Sequence, residues 1–158
     1  MNSMLRLIGV LLYVLALVVG ASALVGFSAK HGFLIYAAFP LALIPILGLH
    51  YLRSNERLAG WSVFTVWLGS TYAMGGDPAE VMVYGAIVAF AVAGYYRSPW
   101  LLVAPWFFHI AWDFMPRELP SQLTDLPTAC LIFDGIIGSY LAWMTHKGSL
   151  SSSVLVLR

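Results

Sequence analysis

Trp106-Phe107-Phe108-His109-Ile110-Ala111-Trp112-Asp113 and, one loop later, Cys130-Leu131-Ile132-Phe133-Asp134 decide how this chain is to be read. Each segment lies inside a run apolar enough to span a bilayer, yet together they carry one histidine and two aspartates. Ionisable side chains are costly at membrane depth and face a bundle interior or a wet cavity when they occur there. The pair of segments therefore predicts a membrane helix bundle with an acid/base cluster inside it.

The whole composition agrees. Of 158 residues, 61% are hydrophobic and 9% charged, and the mean hydropathy is +0.86. A soluble domain carries about 25% charged residues, so water is not the main solvent of this chain. A membrane helix needs about 20 apolar residues, and six spans with short links use residues 1–146, leaving a flexible tail at 147–158. The net charge of +1, without a basic block, excludes nucleic acid as a partner. The single cysteine, Cys130, excludes an internal disulfide and multi-cysteine metal sites.

Outward from the opening stretch, the expected architecture is all-α, a single six-helix transmembrane domain. Span one covers 5–27. Arg6, the apolar Leu7–Val19 run and Ala21-Ser22-Ala23 mimic a secretory signal, but the apolar character continues to Phe27, so an uncleaved helix is expected. Its small residues, Gly9, Ala16, Gly20 and Ala23, suit close helix contact. Residues 28–32 form a turn, span two covers 33–52 with Pro40 and Pro45 inside it, and 53–57 form a polar loop. Span three covers 58–75. Asp77-Pro78 is a helix-start signal for span four at 79–96, along which Gly85, Ala89 and Ala93 offer a small-residue packing face. Span five covers 100–115, a Pro-rich loop follows, and span six covers 128–146. With both termini in the cytoplasm, Arg6, Arg53, Arg57, Arg97, Lys147 and Arg158 lie inside and only Lys30 and Arg117 outside, so the basic residues favour N-in/C-in.

That orientation gives the cluster a depth. His109 and Asp134 each lie seven residues from the flanking prolines, Pro116 and Pro127, roughly 10 Å down at helical rise, and Asp113 and Cys130 roughly 5 Å. His109 and Asp113, four apart, share a helix face. The stripe Cys130, Asp134, Gly138, Ala142 is otherwise small, as a packed face should be. Level His109–Asp134 and Asp113–Cys130 pairs are expected. A carboxyl in apolar surroundings holds its proton and can donate it, while an imidazole or second carboxylate accepts. His109, Asp113 and Asp134 are thus the candidate catalytic residues. Trp106 and Trp112, with Phe108, would wall a lipophilic substrate, and Tyr72, Tyr84, Glu80 and Cys130 are secondary candidates for contacting it.

The segment Trp106–Trp143 resembles a family of small bacterial integral membrane proteins known only as a domain of unknown function. Its pattern of His, Trp-Asp, Pro-rich loop, Cys and Asp is matched here by His109, Trp112-Asp113, Pro120, Pro127, Cys130 and Asp134, over about a quarter of the chain. Members often carry further histidines after the Trp-Asp pair. This chain has Phe114, Met115, Pro116 and Arg117 there, which argues against a histidine-rich metal site. The resemblance implies a multi-pass protein of the bacterial inner membrane and no particular activity. In architecture and chemistry the chain is also similar to small membrane-embedded terpene cyclases and isomerases.

The leading expectation is a cofactor-free membrane enzyme that isomerises, cyclises or hydrolyses a lipid or isoprenoid. Its partners would be membrane lipid and a lipophilic small molecule, with a homo-oligomer left open. A His109/Asp113/Asp134 site for a divalent metal is the first alternative, suited to iron or manganese. A proton-coupled transporter and a structural subunit of a membrane complex, with the cluster as an interhelix lock, are the others.

Overall fold

The computed structural model describes residues 3–70, 77–115 and 124–150. Those residues form six helices: α1 (Ser3–Lys30), α2 (Leu34–His50), α3 (Ser54–Leu68), α4 (Pro78–Tyr96), α5 (Trp100–Asp113) and α6 (Leu126–His146). Three of them, α1, α4 and α6, are long and apolar enough to cross a membrane. The 14-residue α5 rises only about 21 Å.

Helix ends follow local chemistry, and two differ from expectation. Residues 28–30, expected in a turn, continue α1. The helix closes one step later, where Phe33 N–H donates to Ser28 O (3.1 Å) and Gly32 N–H to Ala29 O (3.2 Å). That closure needs a left-handed residue after the helix, and Gly32 supplies it at φ 72° without a Cβ clash. Residues 54–57, expected as loop, are instead the first turn of α3. Glu56 at the third helical position accepts from the Arg53 backbone N–H at 3.1 Å, which stabilises a polar helix start. The α4 start is as expected: Asp77 Oδ1 accepts from Ala79 N–H at 2.7 Å, with Pro78 in the first turn.

The bundle is organised around α6, which packs most extensively on α5 and α2. Helix α1 lies on α2 and α3, and α4 on α3 and α5. The main core runs through Leu49, Leu58, Trp61, Phe64, Leu102, Trp106, Ile137 and Leu141, all fully buried, and a smaller cluster of Leu34, Ala38 and Ala129 joins the starts of α2 and α6. Outside both, many large apolar side chains are exposed. Met4, Leu5, Leu7, Leu11, Leu12, Leu15 and Val19 are all exposed on α1, an apolar surface that water would not tolerate. The buried line on α1 is Val14, Ala21 and Ser28, one residue every two turns.

Two small-residue faces do not pack as expected. A Cβ added at Gly9, Gly20 or Gly85 would meet nothing within 4 Å, and Ala16 and Ala89 are exposed. On α4 the packed line is Ile87, Ala91 and Gly94, and the approach at Gly94 is so close that a Cβ would clash with Leu102. The start of the expected tail packs on the bundle. Helix α6 closes at Gly148 (φ 65°), Leu150 is buried, and Ser54 Oγ donates to Ser149 O at 3.1 Å. Residues 151–158 lie outside the described residues.

At this end Arg6 bridges to Glu56 through two hydrogen bonds, Nε to Oε1 at 2.5 Å and Nη2 to Oε2 at 3.1 Å, tying α1 to α3. Arg57 donates to His50 O and Leu52 O, both at 3.0 Å. The starts of α1 and α3 and the end of α6 thus share one face of the bundle.

Candidate functional site

The opposite half of α5 and α6 carries the site. Pro105 removes one backbone donor from α5 but sits buried within a continuous helix. His109 and Asp113 follow it at four-residue intervals and share its stripe. The stripe faces α6, and small residues on α6 permit the close approach. At Gly138 a Cβ would lie 3.1 Å from Phe107 ring carbons and 3.3 Å from Trp106 Cβ. The missing Cβ lets the two helices approach, and one turn further on Asp134 meets His109.

The contact is direct. His109 Nδ1 stands 2.5 Å from Asp134 Oδ2 and 3.7 Å from Asp113 Oδ2. Exposure is 5% for His109, 3% for Asp113 and 0% for Asp134, so water does not share the pair. Cys130, one turn before Asp134, completes the group. One ligating atom from each of His109, Asp113, Cys130 and Asp134 lies within 4.8 Å of all the others. The close approach of the two helices thus gathers residues that helical rise places at two neighbouring depths. Asp134 Oδ1 is buried with no hydrogen-bond partner among the described residues.

The surroundings are aromatic, but not uniformly a wall. Trp106 is fully buried and belongs to the core: its ring packs against Trp61 (6.5 Å) and Phe133 (6.2 Å), and its Nε1 donates to Thr65 Oγ1 at 3.2 Å. Trp112 is half-buried and stacks on exposed Phe108, with ring centroids 6.3 Å apart and planes at 26°. Its indole N–H is buried without a hydrogen-bond partner among the described residues. Phe107, Phe114, Met115 and Leu131 are also exposed near the cluster in sequence.

The secondary candidates are less united. Tyr84 packs against Gly69, at the α3–α4 contact, and Glu80 stands in the first turn of α4. Neither belongs to the His/Asp/Cys group. Tyr72 lies outside the described residues. A shallow apolar groove between α3 and α4, lined by Ala59, Val63, Val66, Ala91 and Tyr95, shares no residue with the cluster.

Two polar contacts of α3 are not foretold by the sequence. Thr65 is fully buried; its hydroxyl donates to Trp61 O at 2.9 Å and accepts from Trp106 Nε1. Trp67 Nε1 donates to Ser22 Oγ at 2.8 Å, linking α3 to α1. The signal available for Thr65 was a hydroxyl in an apolar run, common in membrane helices and silent about its partner.

A short imidazole–carboxylate contact in a dry place can hold and pass a proton. Four ligand-type side chains at one point can hold a cation. Comparison with protein-family models, with curated proteins and with solved structures finds no match for this chain.

Proposed function

We propose that this chain is a multi-pass membrane enzyme, of six spans with both termini cytoplasmic, that performs proton-transfer chemistry on a lipid or isoprenoid. The observation that carries this reading is the 2.5 Å approach of His109 Nδ1 to Asp134 Oδ2, with Asp113 at 3.7 Å on the same nitrogen. A proton shared between an imidazole and a carboxylate, with a second carboxylate one helical turn away, is an acid/base set. One member donates to a double bond or leaving group and another accepts from the neighbouring carbon or from water.

The substrate class follows from the setting. Exposed Phe107, Phe108, Phe114, Met115 and Leu131 flank the cluster in sequence, so a molecule reaching it from that side arrives through lipid. Trp112 supplies an aromatic face, which orients an apolar substrate and also steadies a transient carbocation. With both termini cytoplasmic, as the basic residues favour, the cluster lies near the outer leaflet of what would be a bacterial inner membrane.

Lipid profiling of membranes from cells expressing the chain tests this. Expression should deplete one lipophilic species and accumulate another. Asp113→Asn and Asp134→Asn should each return the profile to that of cells lacking the chain, while remaining extractable as monodisperse protein in detergent. A profile still altered in both variants overturns the reading.

A further inference from the structure

We propose that the cluster is also a metal site: His109, Asp113 and Asp134, with Cys130 as fourth ligand, take one late first-row divalent ion, zinc being the natural occupant. This goes beyond the acid/base reading: in the loaded chain these three side chains are ligands and Cys130 joins them, so the shared-proton set belongs to the metal-free chain.

Compactness comes first. In a tetrahedral zinc shell, metal–ligand distances of about 2.0–2.3 Å put neighbouring donor atoms about 3.3–3.7 Å apart. His109 Nδ1 already lies 3.7 Å from Asp113 Oδ2 and 2.5 Å from Asp134 Oδ2, and no pair in the four-atom set exceeds 4.8 Å. Closing the shell asks for shifts of about 1 Å, which side-chain rotation supplies without moving either helix.

The donor set selects the ion. One imidazole nitrogen, one thiolate and two carboxylate oxygens make four ligands of mixed softness. Magnesium and calcium want six or more oxygens, and manganese prefers oxygen. A thiolate beside an imidazole favours zinc, iron(II) or cobalt(II) instead. The iron or manganese expected from His109, Asp113 and Asp134 alone gives way to a zinc-like preference once Cys130 is counted.

The helices hold the site ready. Two ligands sit four apart on α5 and two sit four apart on α6, and the Gly138 approach fixes the helices against each other. A pre-set frame removes much of the ordering cost of binding. The charge balance is simple. Loading replaces the proton shared by His109 and Asp134 and the Cys130 thiol proton with the metal, and both protons leave to solvent.

Purified full-length protein in detergent should be stripped with chelator, incubated with zinc, freed of excess and measured by elemental analysis. One zinc per chain is expected. Asp134→Asn should retain less than a tenth of that. Cobalt(II) loading should give the intense visible bands of a tetrahedral ion plus a near-ultraviolet thiolate-to-cobalt charge-transfer band. Cys130→Ser should remove the charge-transfer band while keeping weaker visible bands. Its affinity should fall by at least the roughly 10–100-fold seen when a group that merely orients a ligand is removed. Substoichiometric zinc in the unmodified chain, or a cobalt spectrum unchanged by Cys130→Ser, overturns the proposal even if a variant fails to fold. The enzyme reading fails separately. Stoichiometric zinc with an unaltered lipid profile keeps the metal site and sinks the enzyme; an altered profile without zinc does the reverse.

Discussion

At the residue scale, the energetic question is what His109 and Asp134 do for each other. Neither is near water, so each is tolerable only because the other is present. Removing one partner strands a buried polar group, whereas removing both leaves an apolar contact. Single changes, His109→Phe or Asp134→Leu, should each cost about 3–5 kcal/mol. The double variant should cost clearly less than their sum. Unfolding followed in detergent with chelator present, so that metal does not contribute, measures the cycle. Additive single effects below about 1 kcal/mol would mean that the side chains do not interact. The residues themselves were legible in the sequence, because ionisable groups in apolar runs stand out. The level of His109 with Asp134 was legible too, since helical rise sets depth. The demotion of Trp106 from pocket wall to core was not: an indole in an apolar helix reads the same whether it faces a cavity or Trp61, and only tertiary packing separates the two.

Among the elements, helix identity came from apolar run length, and boundaries were least visible where polar residues begin a helix. Ser54-Asn55-Glu56-Arg57 has a loop's composition, yet Glu56 caps the Arg53 backbone and binds Arg6. The packed face of α4 differs from the expected one for a related reason. Gly85 and Ala89 form a small-residue line, but Ile87, Ala91 and Gly94 are the ones that meet neighbours. Small residues permit contact without causing it. The Arg6–Glu56 bridge gives this scale its own prediction. Glu56 lies in the first turn of α3, and its hydrogen bonds with Arg6 hold the carboxyl below its ordinary 4.5. A carboxyl whose pKa is depressed on folding stabilises the fold above its unfolded value and loses that contribution as pH falls through the folded one. Between about pH 5 and pH 3, the chain should therefore lose more thermal stability than Glu56→Gln, whose bridge is already weakened at neutral pH. The effect is small, because the guanidinium is about one-third exposed and solvent screens the pair. Melting temperatures at pH 7 and pH 4 in non-ionic detergent decide it. Identical drops in the two proteins would assign the acid sensitivity elsewhere.

For the whole molecule, the two ends of the bundle differ in kind. One end gathers Arg6, Arg53, Glu56 and Arg57 with the close of α6. The other holds the dry cluster and the starts of α2 and α4. Three helices are long enough to cross a membrane unaided. Helices as short as α3 and α5, roughly 21–23 Å at helical rise, would have to cross as members of a bundle that thins or perturbs the bilayer locally. That asymmetry makes the proposed orientation testable by chemistry from one side. In a Cys130→Ser background, single cysteines replacing Lys30 or Asp77 should react with a membrane-impermeant maleimide added to intact cells. Cysteines replacing Arg53 or Lys147 should react only after the membrane is opened. The reverse pattern would put the cluster near the cytoplasmic leaflet, where a lipophilic substrate would arrive from newly made lipid and a metal ion from the cytoplasmic pool. Labelling of all four positions from outside would remove the bundle from the membrane altogether, and with it the reason for regarding a buried histidine and two aspartates as more than an interhelix lock.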